Sequence, residues 1–198
     1  MKNGANKMNK NRKTAIIVGV LILIAYCVLA STIIESKLLV MFFEGISGIS
    51  VIGIAVLMFP IFKHYNHRVT FSYLIFKIIE GALMIIAGIL FLSSSDVLLK
   101  VRDSIYVSHT YIFVISAFMF YYLLYKSKII PKWVSVWGII AVILLLIVNL
   151  LEVTNNTIPK LILGLGYSQI MLNEVFLAIW FLLKGFSSAS IGSDKTDS

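Results

Sequence analysis

The chain has 198 residues, of which 60% are hydrophobic and only 13% are charged, and its mean hydropathy is +0.98. No water-soluble domain of this size could carry so much apolar surface, so the composition indicates a membrane protein. The net charge of +8 does not indicate nucleic-acid binding, because the basic residues separate apolar runs and do not gather on one polar face. The single cysteine, Cys27, lies within an apolar run and excludes a disulfide framework.

Six apolar runs of about 20 residues follow one another along the chain. They span about residues 14–34, 38–62, 69–92, 104–125, 133–151 and 161–183. Each run must be a helix, because backbone groups in hydrocarbon have to be satisfied within the segment. The short connections favour antiparallel neighbours in one domain. The sequence therefore predicts an all-α, polytopic transmembrane six-helix bundle over residues 14–186, flanked by disordered tails at 1–13 and 187–198.

Lysine and arginine residues predict how the helices are oriented. The side that carries both termini has twelve of them: Lys2, Lys7, Lys10, Arg12, Lys13, Lys63, Arg68, Lys126, Lys128, Lys132, Lys184 and Lys195. The opposite side has four: Lys37, Lys100, Arg102 and Lys160. The positive-inside rule therefore predicts a multi-pass protein of the inner (plasma) membrane with both termini in the cytoplasm.

The first apolar run also resembles a cleavable signal peptide, because a basic start precedes it and Val28-Leu29-Ala30 ends in a small residue. The run is long for a signal peptide and continues through Ile33 and Ile34. We therefore expect a retained helix, with cleavage as the alternative.

Ionisable side chains inside the apolar runs are the best candidates for a functional site, because each costs about 3 kcal/mol at the helix centre unless it is paired or hydrated. Lys77 and Glu80 lie three residues apart on the third helix and can pair, and Glu174 on the sixth helix could reach the same lysine. Tyr73 shares the face of Lys77, and Asn173 lies beside Glu174. These five residues form a predicted buried polar cluster.

The predicted cluster has two interpretations. One base would face two acids, so one of the carboxyl groups could be neutral and serve as a proton-binding site. The alternative is a structural network of ion pairs and hydrogen bonds that fixes the packing of the helices. The sequence leaves both interpretations open.

Glu44 on the second helix and His109 on the fourth are predicted to form a secondary polar group nearer the outer surface, where His109 is expected to bond Glu44 or an interfacial group. The other two histidines, His64 and His67, lie in a cytoplasmic connection and cannot converge with His109 on one metal ion. No nucleophile elbow or phosphate-binding glycine loop is visible in the sequence. We therefore expect no catalytic residue, no metal and no cofactor.

Three segments carry a resemblance to a known family. They are Lys77-Ile78-Ile79-Glu80, Ser127-Lys128-Ile129-Ile130-Pro131-Lys132-Trp133-Val134-Ser135-Val136-Trp137-Gly138, and Asn173-Glu174 running into Ala178-Ile179-Trp180-Phe181-Leu182-Leu183-Lys184-Gly185. With these segments the chain resembles, over most of its length between the tails, a bacterial membrane family described as domain of unknown function 4386. The resemblance implies six helices in a bacterial inner membrane and supplies no activity. The family often has arginine where this chain has Lys77, and lysine keeps the charge but lacks the bidentate fork.

Three functions stay open. A small-solute or proton-linked transporter is favoured by the buried Lys77, Glu80 and Glu174, and by two three-helix halves of opposite orientation. A non-catalytic membrane component, such as an assembly partner, sensor or stress-related protein, is favoured by the small size. An intramembrane enzyme ranks last, because no nucleophile, metal cluster or cofactor motif is recognisable. The expected partners are the lipid bilayer, an unidentified small molecule and, where glycine-lined helix faces are not used internally, a second copy of the chain.

Overall fold

The computed structural model describes residues 2–154 and 159–187 of the chain, and for residues 2–10 and 30–32 it describes the backbone only. All regular secondary structure in these ranges is helical. The helices are α1 (Lys2–Ala25), α2 (Lys37–Phe62), α3 (His67–Phe91), α4 (Asp96–Ser127), α5 (Lys132–Thr154) and α6 (Lys160–Leu183), and a 3₁₀ helix, Tyr26–Thr32, continues α1. Within these described ranges, six helices are long and apolar enough to cross a membrane. The predicted all-α fold with six helices of membrane-spanning length is confirmed.

Large apolar side chains stay exposed along the helices. Ile49 on α2 is 64% exposed, Ile89 on α3 is 54% exposed and Leu161 on α6 is 74% exposed. In water such surfaces would drive aggregation, whereas lipid acyl chains are as apolar as these side chains. The exposed faces are therefore suited to contact with a bilayer.

Two helices begin earlier than the apolar runs predict. α1 begins at Lys2 and α4 at Asp96, whereas the predicted starts were 14 and 104. Asp96 in the first turn of α4 favours a helix start there, because the N-terminus of a helix carries partial positive charge. A helix can also continue beyond the hydrocarbon, because its charged side chains keep their heads in water there. The predicted disordered tail at 1–13 is thus helical from Lys2 onward. The predicted tail at 187–198 lies, except for Ser187, outside the described residues.

Contacts along the chain divide it into two compact units. The mid-chain unit is Val20–Ser116, and the terminal unit consists of the described residues of Met1–Gly19 and Ala117–Ser198. In the mid-chain unit, α2 packs against α3 and against the 3₁₀ helix. In the terminal unit, α5 packs against α6.

The α2–α3 hairpin of the mid-chain unit has a capped turn and a close backbone contact. The Asn66 side chain accepts a hydrogen bond of 3.2 Å from the backbone N–H of Val69 and so caps α3. Further along, a Cβ built on either Gly48 or Gly81 would lie 2.5 Å from the carbonyl oxygen of the other glycine. The two backbones therefore touch at a place where only glycine fits.

Replacing Gly48 with alanine is expected to lower the free energy of unfolding by about 1–3 kcal/mol, because the added methyl group must push the backbone of α3 away. Gly45→Ala is the matched control, because Gly45 lies on the same helix and a Cβ there would meet nothing within 4 Å. Unfolding in mixed detergent micelles, followed by circular dichroism, measures both variants. Equal stability of the two variants would contradict the close packing of α2 on α3.

In the terminal unit, one side chain joins the middle of α1 to the end of α6. Arg12 donates hydrogen bonds to the carbonyl oxygens of Phe181, Leu182 and Leu183, at 3.2, 2.7 and 3.1 Å. The last carbonyls of a helix lack partners within the helix and carry partial negative charge, so a guanidinium group is well placed there. Gly185 then turns the chain with a φ of +74°, a left-handed conformation that suits glycine. Arg12 thus caps α6, a role that the sequence did not predict.

Candidate functional site

Lys77 and Glu80 form an ion pair on the buried face of α3. The lysine Nζ lies 2.9 Å from Glu80 Oε1, and the two side chains are only 9% and 2% exposed. Ser116 of α4 donates a hydrogen bond from its hydroxyl to the other carboxylate oxygen, Oε2. The lysine Nζ also lies 5.2 Å from the centre of the Phe113 ring, within cation–π range. Each oxygen of Glu80 therefore has a donor, and the ionised pair carries no net charge.

Tyr73 lies on the same buried face of α3, one helical turn before Lys77. Its side chain is fully buried, and its ring packs edge-to-face on Phe62, the last residue of α2, with the ring centres 6.3 Å apart. Of the predicted cluster, Tyr73, Lys77 and Glu80 thus occur together in the mid-chain unit.

A second ion pair of the mid-chain unit joins α2 to α4. Arg102 Nη2 lies 2.9 Å from Oε1 of Glu44, whose side chain is fully buried, and the hydroxyl of Tyr106 donates a hydrogen bond to the same oxygen. The Arg102 guanidinium also lies over two rings, 4.4 Å from the centre of Phe91 and 4.7 Å from that of Tyr106. An arginine serves this site well because its flat group can stack and donate hydrogen bonds at the same time.

Among the described residues no hydrogen bond joins His109 to Glu44, and the alternative expectation of a bond to an interfacial group stays a prediction. Arg102 and Tyr106 occupy Oε1 of Glu44, and His109 packs edge-on against Tyr106 with the ring centres 6.4 Å apart. His109 Nε2 is buried and has no hydrogen-bond partner among the described residues. α4 begins early enough to include Arg102 two turns before His109, and from there the Arg102 side chain reaches Glu44.

Asn173 and Glu174 belong to the terminal unit. Asn173 is fully buried, and its side-chain amide donates a hydrogen bond of 3.1 Å to the carbonyl oxygen of Val134, which ties α6 to α5. Glu174 is half-buried. The predicted meeting of Glu174 with Lys77 joins residues of the two units and stays a prediction.

Four residues of α4 complete the two ion pairs, and the predicted cluster contained none of them. They are Arg102, Tyr106, Phe113 and Ser116. Sequence reasoning placed Arg102 in a connection, because charged residues usually end an apolar run. The spacing of these four residues could have indicated a shared site, because steps of four and three residues, or their sums, keep side chains on one face of a helix.

Chemically, the two pairs place two carboxylates and two cations in a largely dehydrated interior. Such groups can bind and release protons, or exchange one partner for a charged ligand, because charges interact strongly where water is scarce. The mid-chain unit therefore contains the stronger candidate for a functional site.

The family described as domain of unknown function DUF4386 matches residues 14–185, which is most of the chain. No curated protein and no solved structure matches the chain. The match confirms the family that the segments around Lys77, Pro131 and Glu174 suggested. The chain therefore belongs to the DUF4386 family.

Proposed function

We propose that the chain is a proton-linked transporter of a small solute, with Glu80 as its proton-binding group. The observation that carries the proposal is the Lys77–Glu80 pair, which is buried within a helix long and apolar enough to cross a membrane. A buried ion pair seldom stabilises a protein more than well-packed apolar residues would. Charged residues inside a membrane segment therefore point to function, and proton relays and solute pathways are their usual roles.

Charge balance suggests how Glu80 couples a proton to a solute. When Glu80 takes up a proton, Lys77 loses its negative partner in a region of low dielectric, which is costly. A small anionic solute at Lys77 would restore neutrality, so a proton and an anion would bind together. Ser116 can follow the change, because its hydroxyl can donate to a carboxylate or accept from a carboxylic acid.

Proton flux into liposomes that contain the purified protein, measured with small anions such as chloride and phosphate in the medium, tests this function. With an imposed pH gradient, Glu80→Gln is expected to lower the flux by at least about tenfold, because glutamine cannot transfer a proton. Glu35→Gln is the control, because Glu35 is exposed outside the helices. A wild-type flux no greater than that of empty liposomes would contradict the proposal and favour the alternative of a non-catalytic membrane component.

We also propose that the protein lies in a bacterial inner membrane with both termini in the cytoplasm. The excess of lysine and arginine near the termini supports this orientation. The ion pair with Glu44 supports it further, because Arg102 is then neutralised and the opposite side has fewer free positive charges. The contact of Arg12 with the last carbonyls of α6 is in keeping with both termini on one side.

A further inference from the structure

One face of α4 carries a row of five side chains that we call the α4 row: Arg102, Tyr106, His109, Phe113 and Ser116. Successive members are four or three residues apart, so they follow one face of the helix over about 20 Å. This length is a large part of the hydrocarbon thickness of a bilayer, about 30 Å. The α4 row therefore extends through much of the depth that α4 could cross.

The ends of the α4 row bind carboxylates on two other helices. Arg102 and Tyr106 bond Glu44 of α2, and Ser116 bonds Glu80 of α3. Both carboxylates belong to the mid-chain unit, as does the whole row. The α4 row thus leads from one buried acid to the other.

His109 occupies the middle of the row. The charges that act on it come from Glu44 on α2 and from Lys77 and Glu80 on α3, while Arg102 and Tyr106 lie on its own helix.

Buried atoms near the α4 row without a hydrogen-bond partner among the described residues include Ser47 Oγ, Arg102 Nε and two atoms that can accept a proton. Over the described ranges, His109 Nε2 and Glu44 Oε2 are buried and lack a hydrogen-bond partner. Buried polar atoms are nearly always bonded, so each exception needs an explanation, and a catalytic role is one of the known ones. A purely structural histidine would be expected to use its ring nitrogens.

We infer that His109 is a proton relay between Glu44 and Glu80. A proton that Glu44 has taken up from solution passes to the lone pair of Nε2 when the two side chains come within hydrogen-bonding distance, which restores the carboxylate that pairs with Arg102 and leaves an imidazolium ion. The imidazolium then gives a proton to the Glu80 carboxylate, and His109 returns to its neutral form. Imidazole suits this step because it can accept a proton on one ring nitrogen and give one from the other. The relay rests on the proposed proton-linked function, for which it supplies Glu80 with protons.

Proton flux in liposomes tests the relay against a merely structural role. His109→Gln is expected to lower the flux by at least about tenfold and to remove the part of its pH profile that follows imidazole titration. His64→Gln should leave both unchanged, because His64 is exposed in the turn between α2 and α3. Circular dichroism must show that both variants are folded. Wild-type flux and pH profile in folded His109→Gln would overturn the relay and leave the role of Glu80 intact.

Nuclear magnetic resonance of isotope-labelled histidine in lipid bilayers gives a second test that does not depend on transport. The chain has three histidines, so the double variant His64→Gln/His67→Gln leaves the signal of His109 alone. The signal is expected to change from the neutral to the protonated form with pH, with a midpoint that moves in both Glu44→Gln and Glu80→Gln and stays in Glu35→Gln. The relay would be overturned by a signal that does not change with pH. It would also be overturned by a midpoint that stays unchanged in Glu44→Gln, in Glu80→Gln or in both. If the wild type carries no flux, the transport function fails, and this titration alone decides whether His109 exchanges protons beside these carboxylates.

Discussion

Replacing Arg102 with alanine is expected to lower the free energy of unfolding by about 3–5 kcal/mol, which is the usual result of removing one partner of a buried ion pair. Glu44 would stay fully buried and would lose its cation, keeping only the hydroxyl of Tyr106. The rings of Phe91 and Tyr106 would also lose the guanidinium that lies over them. Unfolding by sodium dodecyl sulfate in mixed micelles, followed by circular dichroism, measures the loss.

Lys100→Ala is the matched control for Arg102→Ala. Lys100 lies two residues earlier on α4, is exposed, and forms no ion pair in the part of the chain that the structure describes. Its replacement should change the stability by less than about 1 kcal/mol. Arg102→Lys should fall between the two, because lysine keeps the charge and loses the flat stacking group. A stability of Arg102→Ala equal to that of Lys100→Ala would show that the pair with Glu44 does not form.

Replacing Lys77 with methionine is the second change with a large expected effect. Methionine keeps much of the stem and removes the charge, so Glu80 would stay buried with only the Ser116 hydroxyl as a donor. We expect a loss of about 3–5 kcal/mol in the free energy of unfolding. The same micelle titration measures it.

The double variant Lys77→Met/Glu80→Gln separates the charge effect from packing. Removing both charges should recover most of the stability, because no uncompensated ion is left in the interior. Lys63→Met serves as the control, since Lys63 is exposed just after α2. A double variant as unstable as Lys77→Met alone would mean that the lysine stem, and not the ion pair, holds α3 in place.

The sequence predicted much of α3 because a single helix determines its own geometry. The spacing of Lys77 and Glu80 already brings their charges together on one face, whatever the neighbouring helices do. Apolar runs likewise predict which segments are helical, since hydrocarbon offers no other way to satisfy the backbone.

The partners on other helices could not be predicted in the same way. Hydropathy treats a charged residue as the end of an apolar run, so Arg102 was assigned to a connection although α4 includes it. Which carboxylate it would reach depends on how α2 and α4 lie side by side, and a pattern within one helix does not contain that information. The same applies to Arg12, whose partners on α6 are about 170 residues away in the chain.

Stability and proton transport are different properties of the Lys77–Glu80 pair. A large loss of stability in Lys77→Met would show that the ion pair matters for folding, and a structural network would give the same result. Proton flux distinguishes the two interpretations, because a structural network predicts no flux in the wild type, whereas a proton-binding Glu80 predicts a wild-type flux that folded Glu80→Gln loses.

Labelling of single cysteines tests most directly the proposal that six helices cross the membrane and leave both termini on the cytoplasmic side. Cys27→Ser removes the natural thiol, and new cysteines are then placed one at a time by His64→Cys, Lys128→Cys, Lys184→Cys, Ser36→Cys and Ser94→Cys. An impermeant thiol reagent should label positions 36 and 94 in intact cells. It should label positions 64, 128 and 184 only after the cytoplasmic face is opened. Labelling of positions 64 and 94 from the same side would contradict the account.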